Sequence, residues 1–193
     1  MKKLLIATNN KGKLKELKEM LLGYEILSLE DVGCRVNIEE NGSTFEENVK
    51  KKAKGFFEST KIPCIADDSG LCIEALNGWP GIFTARFLGE NSTKEERNNY
   101  ILEKMKNIED YRRKAFVKCA IAYYDGKNFI IGKGSIEGKI ALEKRGNNGF
   151  GFDEIFELPN GKTYAELSKE EKNEISHRKI AIKDLIKKLK KLY

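Results

Sequence analysis

A single histidine, His177, serves the whole chain of 193 residues. A His-rich metal site is therefore excluded, and any Ser-His-Asp or Cys-His arrangement would rest on that one ring. The four cysteines, Cys34, Cys64, Cys72 and Cys119, form no Cys-x-x-Cys pair, which removes the usual zinc and dithiol spacings. Cys64 and Cys72 lie in apolar, strand-like surroundings and read as small buried hydrophobes. No apolar run approaches the ~20 residues that span a bilayer. The opening Met1-Lys2-Lys3-Leu4-Leu5-Ile6 is basic and then apolar, but its apolar part is too short for a signal peptide. A reducing cytosol is the expected compartment. No internal repeat, low-complexity linker or domain break is visible, and the length suits one domain over residues 1–193.

What the chain does have is basic charge. A net charge of +6 and a pI near 9.0 favour anionic ligands: nucleotides, phosphorylated metabolites or nucleic acid. The basic residues are spread along the chain instead of forming one stripe interleaved with aromatics, which argues against a nucleic-acid-binding module. Much of the Lys and Glu content reads as solvated surface.

The most informative stretch is Ile65-Ala66-Asp67-Asp68-Ser69-Gly70-Leu71. The apolar run 62–66 reads as a buried strand that stops at two carboxylates, a hydroxyl and a glycine. Successive side chains of an extended chain point to opposite faces, so at most one of Asp67 and Asp68 can face a given pocket. Two carboxylates at a core strand are costly unless a cation or hydrogen-bond donors meet them. That cost points to a metal-dependent catalytic site.

Upstream, residues 4–7 read as a strand, followed by Thr8-Asn9-Asn10-Lys11-Gly12-Lys13 and a helical pattern on Leu14, Leu17, Met20 and Leu21. Strand, polar loop and helix suit an anion at a helix N-terminus. A plain turn with Asn10 as cap fits equally well, and the segment is not a Walker A loop. Residues 26–29 read as a second strand, and Glu39-Glu40-Asn41-Gly42 as an acidic turn. Ser43 or Thr44 caps the next helix with Glu46 or Glu47, and Phe45, Val49, Ala53 and Phe56 face inward on it. Its lysines, Lys50, Lys51, Lys52 and Lys54, read as mostly solvated, with at most one or two touching a ligand.

Downstream, residues 71–75 suggest a further extended segment. Pro80 is expected to open a helix through Phe83 and Arg86, and residues 90–108 one long amphipathic helix. Residues 115–124 and 128–134 read as a hairpin joined at Asp125-Gly126, with a further strand over 135–142. Glycines alternate with aromatics in Arg145-Gly146-Asn147-Asn148-Gly149-Phe150-Gly151-Phe152-Asp153, which suits backbone approaching something flat. Ser168 opens a closing helix with Ile175, Ile182, Leu185, Ile186 and Leu189 toward the core. Its basic end, 187–193, reads as a solvated tail.

Six segments, in order, resemble the inosine triphosphate pyrophosphatase family. They are Thr8-Asn9-Asn10-Lys11-Gly12-Lys13; Thr44-Phe45-Glu46-Glu47-Asn48 with Lys52-Ala53; Ala66-Asp67-Asp68-Ser69-Gly70-Leu71; Gly78-Trp79-Pro80-Gly81; Gly149-Phe150-Gly151-Phe152-Asp153; and Glu171-Lys172-Asn173-Glu174-Ile175-Ser176-His177-Arg178. The departures are Phe152 for a usual tyrosine, Glu154 for a frequent proline and Thr84 for a common serine. The resemblance implies an α/β fold, an elongated mixed β-sheet flanked by helices in two lobes with a nucleotide cleft between them, and a homodimer. It implies hydrolysis of deaminated purine nucleoside triphosphates (ITP, dITP, XTP) to the monophosphate and pyrophosphate.

By the same resemblance Asp68 binds Mg2+ and accepts the attacking water's proton, Glu39 is a second ligand and Lys52 is a catalytic cation. Thr8, Asn9, Asn10, Lys11, Gly12, Lys13 and Ser69 would hold phosphates, and Lys172 is matched as well. Phe150 or Phe152 would stack on the base, with Gly151 and Asp153 offering hydrogen bonds and His177 and Arg178 donating to its 6-oxo group. A site of donors rejects adenine, whose 6-amino group also donates. A pyrophosphatase for other modified nucleotides is the alternative enzyme reading.

Overall fold

The structure is a computed structural model that describes residues 2–21 and 23–191. Six strands form one mixed sheet in the order β2-β1-β3-β4-β5-β6. They are β1 (Lys2–Ile6), β2 (Tyr24–Ser28), β3 (Cys64–Ile73), β4 (Lys114–Tyr124), β5 (Phe129–Ile140) and β6 (Phe156–Glu157). Among the described residues five α-helices accompany them: α1 (Lys11–Met20), α2 (Phe45–Thr60), α3 (Lys94–Lys104), α4 (Lys169–Ile175) and α5 (His177–Leu189). The chain divides into two compact units, each assembled from separated segments. The first holds Met1–Asp68, Cys119–Gly134 and Arg178–Tyr193, the second Ser69–Lys118 and Ser135–His177.

In the first unit, β1 pairs in parallel with β2 and with β3. The chain leaves β1 through α1 to reach β2, then returns through α2 to β3 on the other side. The carboxyl end of β1, which lies beside Ile65 of β3, is therefore the kind of switch point at which open α/β sheets bind ligands. Strand alternation sorts the side chains. Leu4, Ile6 and Ile65 pack with Leu17 and Leu21 of the α1 region and with Ala181, Ile182 and Leu185 of α5. Leu5, Ala7, Cys64 and Ala66 pack with Val49, Ala53 and Phe56 of α2. Each fully buried aliphatic side chain of this kind is worth about 1.5–3 kcal/mol. Burial pushes the Cys64 and Cys119 thiols up to about 12, as expected of small core hydrophobes; Cys72 and Cys34 are half-buried.

The caps are local. Asn10 accepts from the Lys13 amide at 3.1 Å to open α1. Thr44 accepts from the Glu47 amide at 3.1 Å to open α2, while Glu47 reaches back to the Ser43 amide at 2.8 Å.

In the second unit, Leu71, Ile73, Val117, Ile140 and Phe156 build a core with Ile101 and Met105 from the α3 region and with Tyr164 and Leu167. Arg113 is buried beside this core. Its guanidinium donates to the carbonyls of Ile140 at 2.7 Å, Met105, Ile108 at 3.2 Å and Ala141 at 2.7 Å. One planar cation thus satisfies carbonyls from two stretches of chain.

Several expectations are corrected. β3 does not stop at Asp67; it runs on through Ser69 and Gly70 to Ile73, because the carboxylates are met by partners and need no exit from the sheet. The segments at 128–134 and 135–142 are largely one strand, β5. The Pro80 helix is only a 3-10 turn, Gly81–Phe83. The long helix at 90–108 shortens to α3, whose start is fixed by a capping box between Thr93 and Glu96. The closing helix is two helices broken at Ser176, whose ψ of 149° is extended, and Ile175 is exposed. The basic tail lies in part outside the described residues.

Replacing Arg113 with methionine keeps the aliphatic stem and removes every donor. Since a buried group stripped of its partner costs about 1–3 kcal/mol, the variant is expected to lose about 3 kcal/mol or more in urea unfolding. A loss below about 1 kcal/mol would show that the four carbonyls are satisfied without it.

Candidate active site

The alternation of β3 carries past Ala66 and sends its two carboxylates to opposite faces. Asp67 turns toward α1 and α5. Its Oδ2 lies 3.0 Å from Lys13 Nζ and 3.4 Å from Arg178 Nε. Arg178 is in turn paired through its Nη1 with Glu16 of α1. Lys13, Asp67, Arg178 and Glu16 form a chain of alternating charge, of which all but Lys13 are buried. Burial disfavours the charged form of Asp67, but Lys13 and Arg178 outweigh it and hold the carboxyl below the usual range. Burial likewise opposes the charges on Lys13 and Arg178; Asp67, with Glu16 in the case of Arg178, overcomes it and raises both.

Asp68 turns toward α2 and meets a different environment. Asn48, fully buried, donates from Nδ2 to Asp68 Oδ2 at 3.0 Å and accepts at Oδ1 from the Gly42 amide at 2.8 Å. A Cβ at Gly42 would stand 2.7 Å from that Asn48 oxygen, so a side chain there would disrupt the link. Lys52, one helical turn beyond Asn48, donates to the Asp67 carbonyl at 2.7 Å and pairs with Glu40 at 3.2 Å. Asp68 is raised above its usual value. Burial is the main cause, with the Glu40 charge adding to it, and Lys52, Lys13 and Asn48 only partly offset them. The two neighbouring carboxylates are thereby shifted in opposite directions, Asp67 below the ordinary value and Asp68 above it.

The sequence-predicted residues fall into two groups. In the first unit Lys13 and Arg178 meet Asp67 on one face of β3, whereas Asp68 on the other face meets Asn48, with Lys52 donating to the Asp67 carbonyl. Thr8, Asn9, Asn10, Lys11 and Gly12 form the loop and first turn of α1, where Thr8 Oγ1 accepts from the Asn10 amide at 3.2 Å. Arg178, expected at the 6-oxo group, is buried against Glu16 and Asp67. Glu39 is exposed, with its carboxylate accepting from Asn41 Nδ2 at 3.0 Å; Glu40 is the acidic-turn residue beside Lys52.

In the second unit, half-buried Ser69 continues β3. Lys172 is buried, 2.7 Å from Asp153 Oδ2, with its ammonium 4.4 Å from the centre of the Phe150 ring. Asp153 also accepts from the Phe150 amide at 2.7 Å, and a Cβ at Gly149 would overlap its carboxylate. Gly151, at φ 63°, holds a conformation that suits glycine. Phe152 packs against the core, edge to face with Phe156, so Phe150 is the ring of the pair that stands at the charged residues. His177 is buried and stacks on Tyr164. Glu16, Glu40, Asn48 and Tyr164 were not anticipated as site residues; for Asn48, its i, i+4 spacing from Lys52 was the available signal.

A divalent cation can be tested against this donor set. Among the described residues no group of three or more His, Cys, Asp or Glu side chains could hold a metal ion. Asp68 and the adjacent acidic turn offer carboxylate oxygens only, and Asp68 is short of compensating charge. Those features suit a hard cation such as magnesium, which keeps several waters and takes only one or two carboxylates.

The Ham1 family model matches residues 4–188. The chain is 45% identical over 193 residues to a dITP/XTP pyrophosphatase of Bacillus subtilis, covering 98% of both. It is 44% identical over 186 residues to a dITP/XTP pyrophosphatase of Thermoanaerobacter sp., covering 95% of this chain and 94% of the relative. Among solved structures, the Ham1 protein of Staphylococcus aureus aligns with a TM-score of 0.88 at 40% identity, over 100% of both chains. A HAM1 protein from Coxiella burnetii aligns with a TM-score of 0.89 at 41% identity, over 99% of this chain and 100% of that one.

The contrast between the two carboxylates gives an equilibrium prediction in the metal-free protein. Asp67→Asn leaves Arg178 and Lys13 short of their shared counter-ion and is expected to cost about 3–5 kcal/mol in denaturant unfolding. Asp68→Asn removes a charge that the fold disfavours and is expected to be neutral or stabilising. Similar losses in both variants would contradict the division of roles.

Proposed function

This chain belongs to the Ham1 family, and we propose that it hydrolyses ITP, dITP and XTP to the monophosphate and pyrophosphate. The observation that carries the proposal is Asp68: a buried carboxylate clasped by Asn48, raised in proton affinity, in the same unit as the Lys13 and Lys52 cations. In the reaction, water oxygen bonds to the α-phosphorus as the bond to the β-phosphate oxygen breaks. Pyrophosphate leaves, and a proton of the water passes to the base. Asp68 is that base. Burial raises its proton affinity above that of an ordinary aspartate, the direction a general base needs, and Asn48 fixes its orientation.

Lys13 and the α1 N-terminus, with the amides of residues 11 and 12, would bind phosphate oxygens. Lys52 would stabilise charge that develops on the leaving pyrophosphate. Asp68 and the acidic turn would hold a divalent cation, magnesium by resemblance, which when bound neutralises phosphate charge and lowers the pKa of its water. Glu39 is the second ligand by resemblance, and Glu40 is the turn carboxylate placed beside Lys52. Single Gln variants at each, read by the magnesium dependence of turnover, distinguish them.

In the second unit, Phe150 offers the stacking ring, Asp153 and the backbone around Gly151 the hydrogen-bonding groups, and Lys172 the cation against Phe150 and Asp153, with His177 beside Tyr164. The resemblance further supports a homodimer acting on free nucleotides in the cytosol.

Pyrophosphate release from inosine, xanthosine, guanosine, adenosine and pyrimidine triphosphates tests the substrate class, with ITP and XTP expected to lead. Asp68→Asn should keep ITP binding while turnover falls by about 10²–10⁴. Equal rates in the wild type and the variant would defeat the assignment.

A further inference from the structure

We propose that Tyr164 is a positioning residue for the base-reading groups, acting through Lys172; this rests on the substrate reading above. Tyr164 is fully buried in a 3-10 turn, Tyr164–Glu166, that is hydrogen-bonded, with its flanking residues, to the glycine-rich segment 145–153. Thr163 Oγ1 donates to the Arg145 carbonyl at 2.9 Å, and the Ala165 amide donates to the Asp153 carbonyl at 3.0 Å. In return the Asn148 amide donates to the Ala165 carbonyl at 3.1 Å, and Asn148 Nδ2 to the Leu167 carbonyl at 2.9 Å. Gly146 lets the two segments meet, since a Cβ there would stand 2.3 Å from the Ala165 backbone.

On this platform the Tyr164 ring meets two of the polar residues assigned to the base. The Lys172 ammonium lies 5.5 Å from its centre, and the His177 ring lies 6.3 Å away at 29°. Lys172 is therefore held by the Tyr164 ring, the Phe150 ring and the Asp153 carboxylate together. An ammonium held on one face of Phe150 directs a stacking base to the opposite face. A buried cation over aromatic faces gains enough to define one position for a flexible four-carbon stem. Tyr164 touches no substrate atom in this scheme. It fixes where Lys172 sits, and so which face and which edge of the base can be read.

The test compares wild type, Tyr164→Leu, Tyr164→Phe, Lys172→Met and the Tyr164→Leu/Lys172→Met double variant. KM and kcat are measured for ITP, and the inhibition constant for inorganic triphosphate, which carries the phosphates without a base. Tyr164→Leu is expected to raise KM about tenfold and to change kcat by less than about threefold. The triphosphate constant should be unchanged, Tyr164→Phe should restore KM, and the double variant should be no worse than Lys172→Met alone.

An unchanged KM, a parallel rise in the triphosphate constant, or additive effects in the double variant would overturn the assignment. Should Tyr164→Leu fail to fold, Lys172→Met and Tyr164→Phe carry the test. Lys172→Met must then raise KM without moving the triphosphate constant, and Tyr164→Phe must match the wild type; any other result overturns the proposal. A wild type that does not hydrolyse ITP overturns the substrate reading and this assignment with it. A wild type that does, without the Tyr164 pattern, overturns this assignment alone.

Discussion

Two adjacent carboxylates on one buried strand can be tolerated only if each finds its own compensation, and the pleat of β3 makes that possible. Asp67 and Asp68 are one residue apart in sequence yet face different helices. The face shared with α1 and α5 supplies full charges, Lys13 and Arg178, which hold the Asp67 carboxyl below the usual range. The face shared with α2 supplies an amide from Asn48 and brings Glu40 within electrostatic reach, which leaves Asp68 short of compensation. Structural anchoring and proton chemistry are separated by the two-residue period of a strand. Swapping the environments would require a one-residue register shift, which the apolar residues Ile65 and Ala66 on the same strand would resist.

The elements around the strand follow from the same constraint. Helix α1 serves twice: its first turn contributes Lys13 to Asp67, and Glu16 one turn later neutralises Arg178, which would otherwise be a buried excess cation. Helix α2 holds Asn48 and Lys52 on one face through their i, i+4 spacing. Its cap at Thr44 fixes where that face begins relative to the acidic turn. In the second unit the logic is aromatic rather than ionic alone. Lys172 is held by one carboxylate and two rings, and at Gly149 and Gly146 a side chain would collide with Asp153 or with the Ala165 backbone.

Much of this was legible in the sequence. The motif order gave the family resemblance, the apolar periodicities located α1, α2 and the strand cores, and the opposed facing of Asp67 and Asp68 followed from strand geometry alone. What escaped was information carried by distant partners. The run 62–66 was read as ending at the acidic pair because charge normally ends a buried strand. Lys13, Arg178, Lys52 and Asn48 lie far along the chain, and no local rule says that they converge there. Glu16 and Tyr164 carry no motif or spacing that singles them out. The break at Ser176 was missed because the residues on either side continue a helical pattern; one extended ψ separates α4 from α5 and exposes Ile175.

The most direct measurement of this division is the carboxyl titration of the metal-free protein by carbon-13 NMR, with the Asp67 and Asp68 signals assigned through their Asn variants. Asp67 should remain ionised to below the ordinary aspartate value, and Asp68 should take up its proton above it. The reverse order, or two carboxyls titrating together at the ordinary value, would contradict the account.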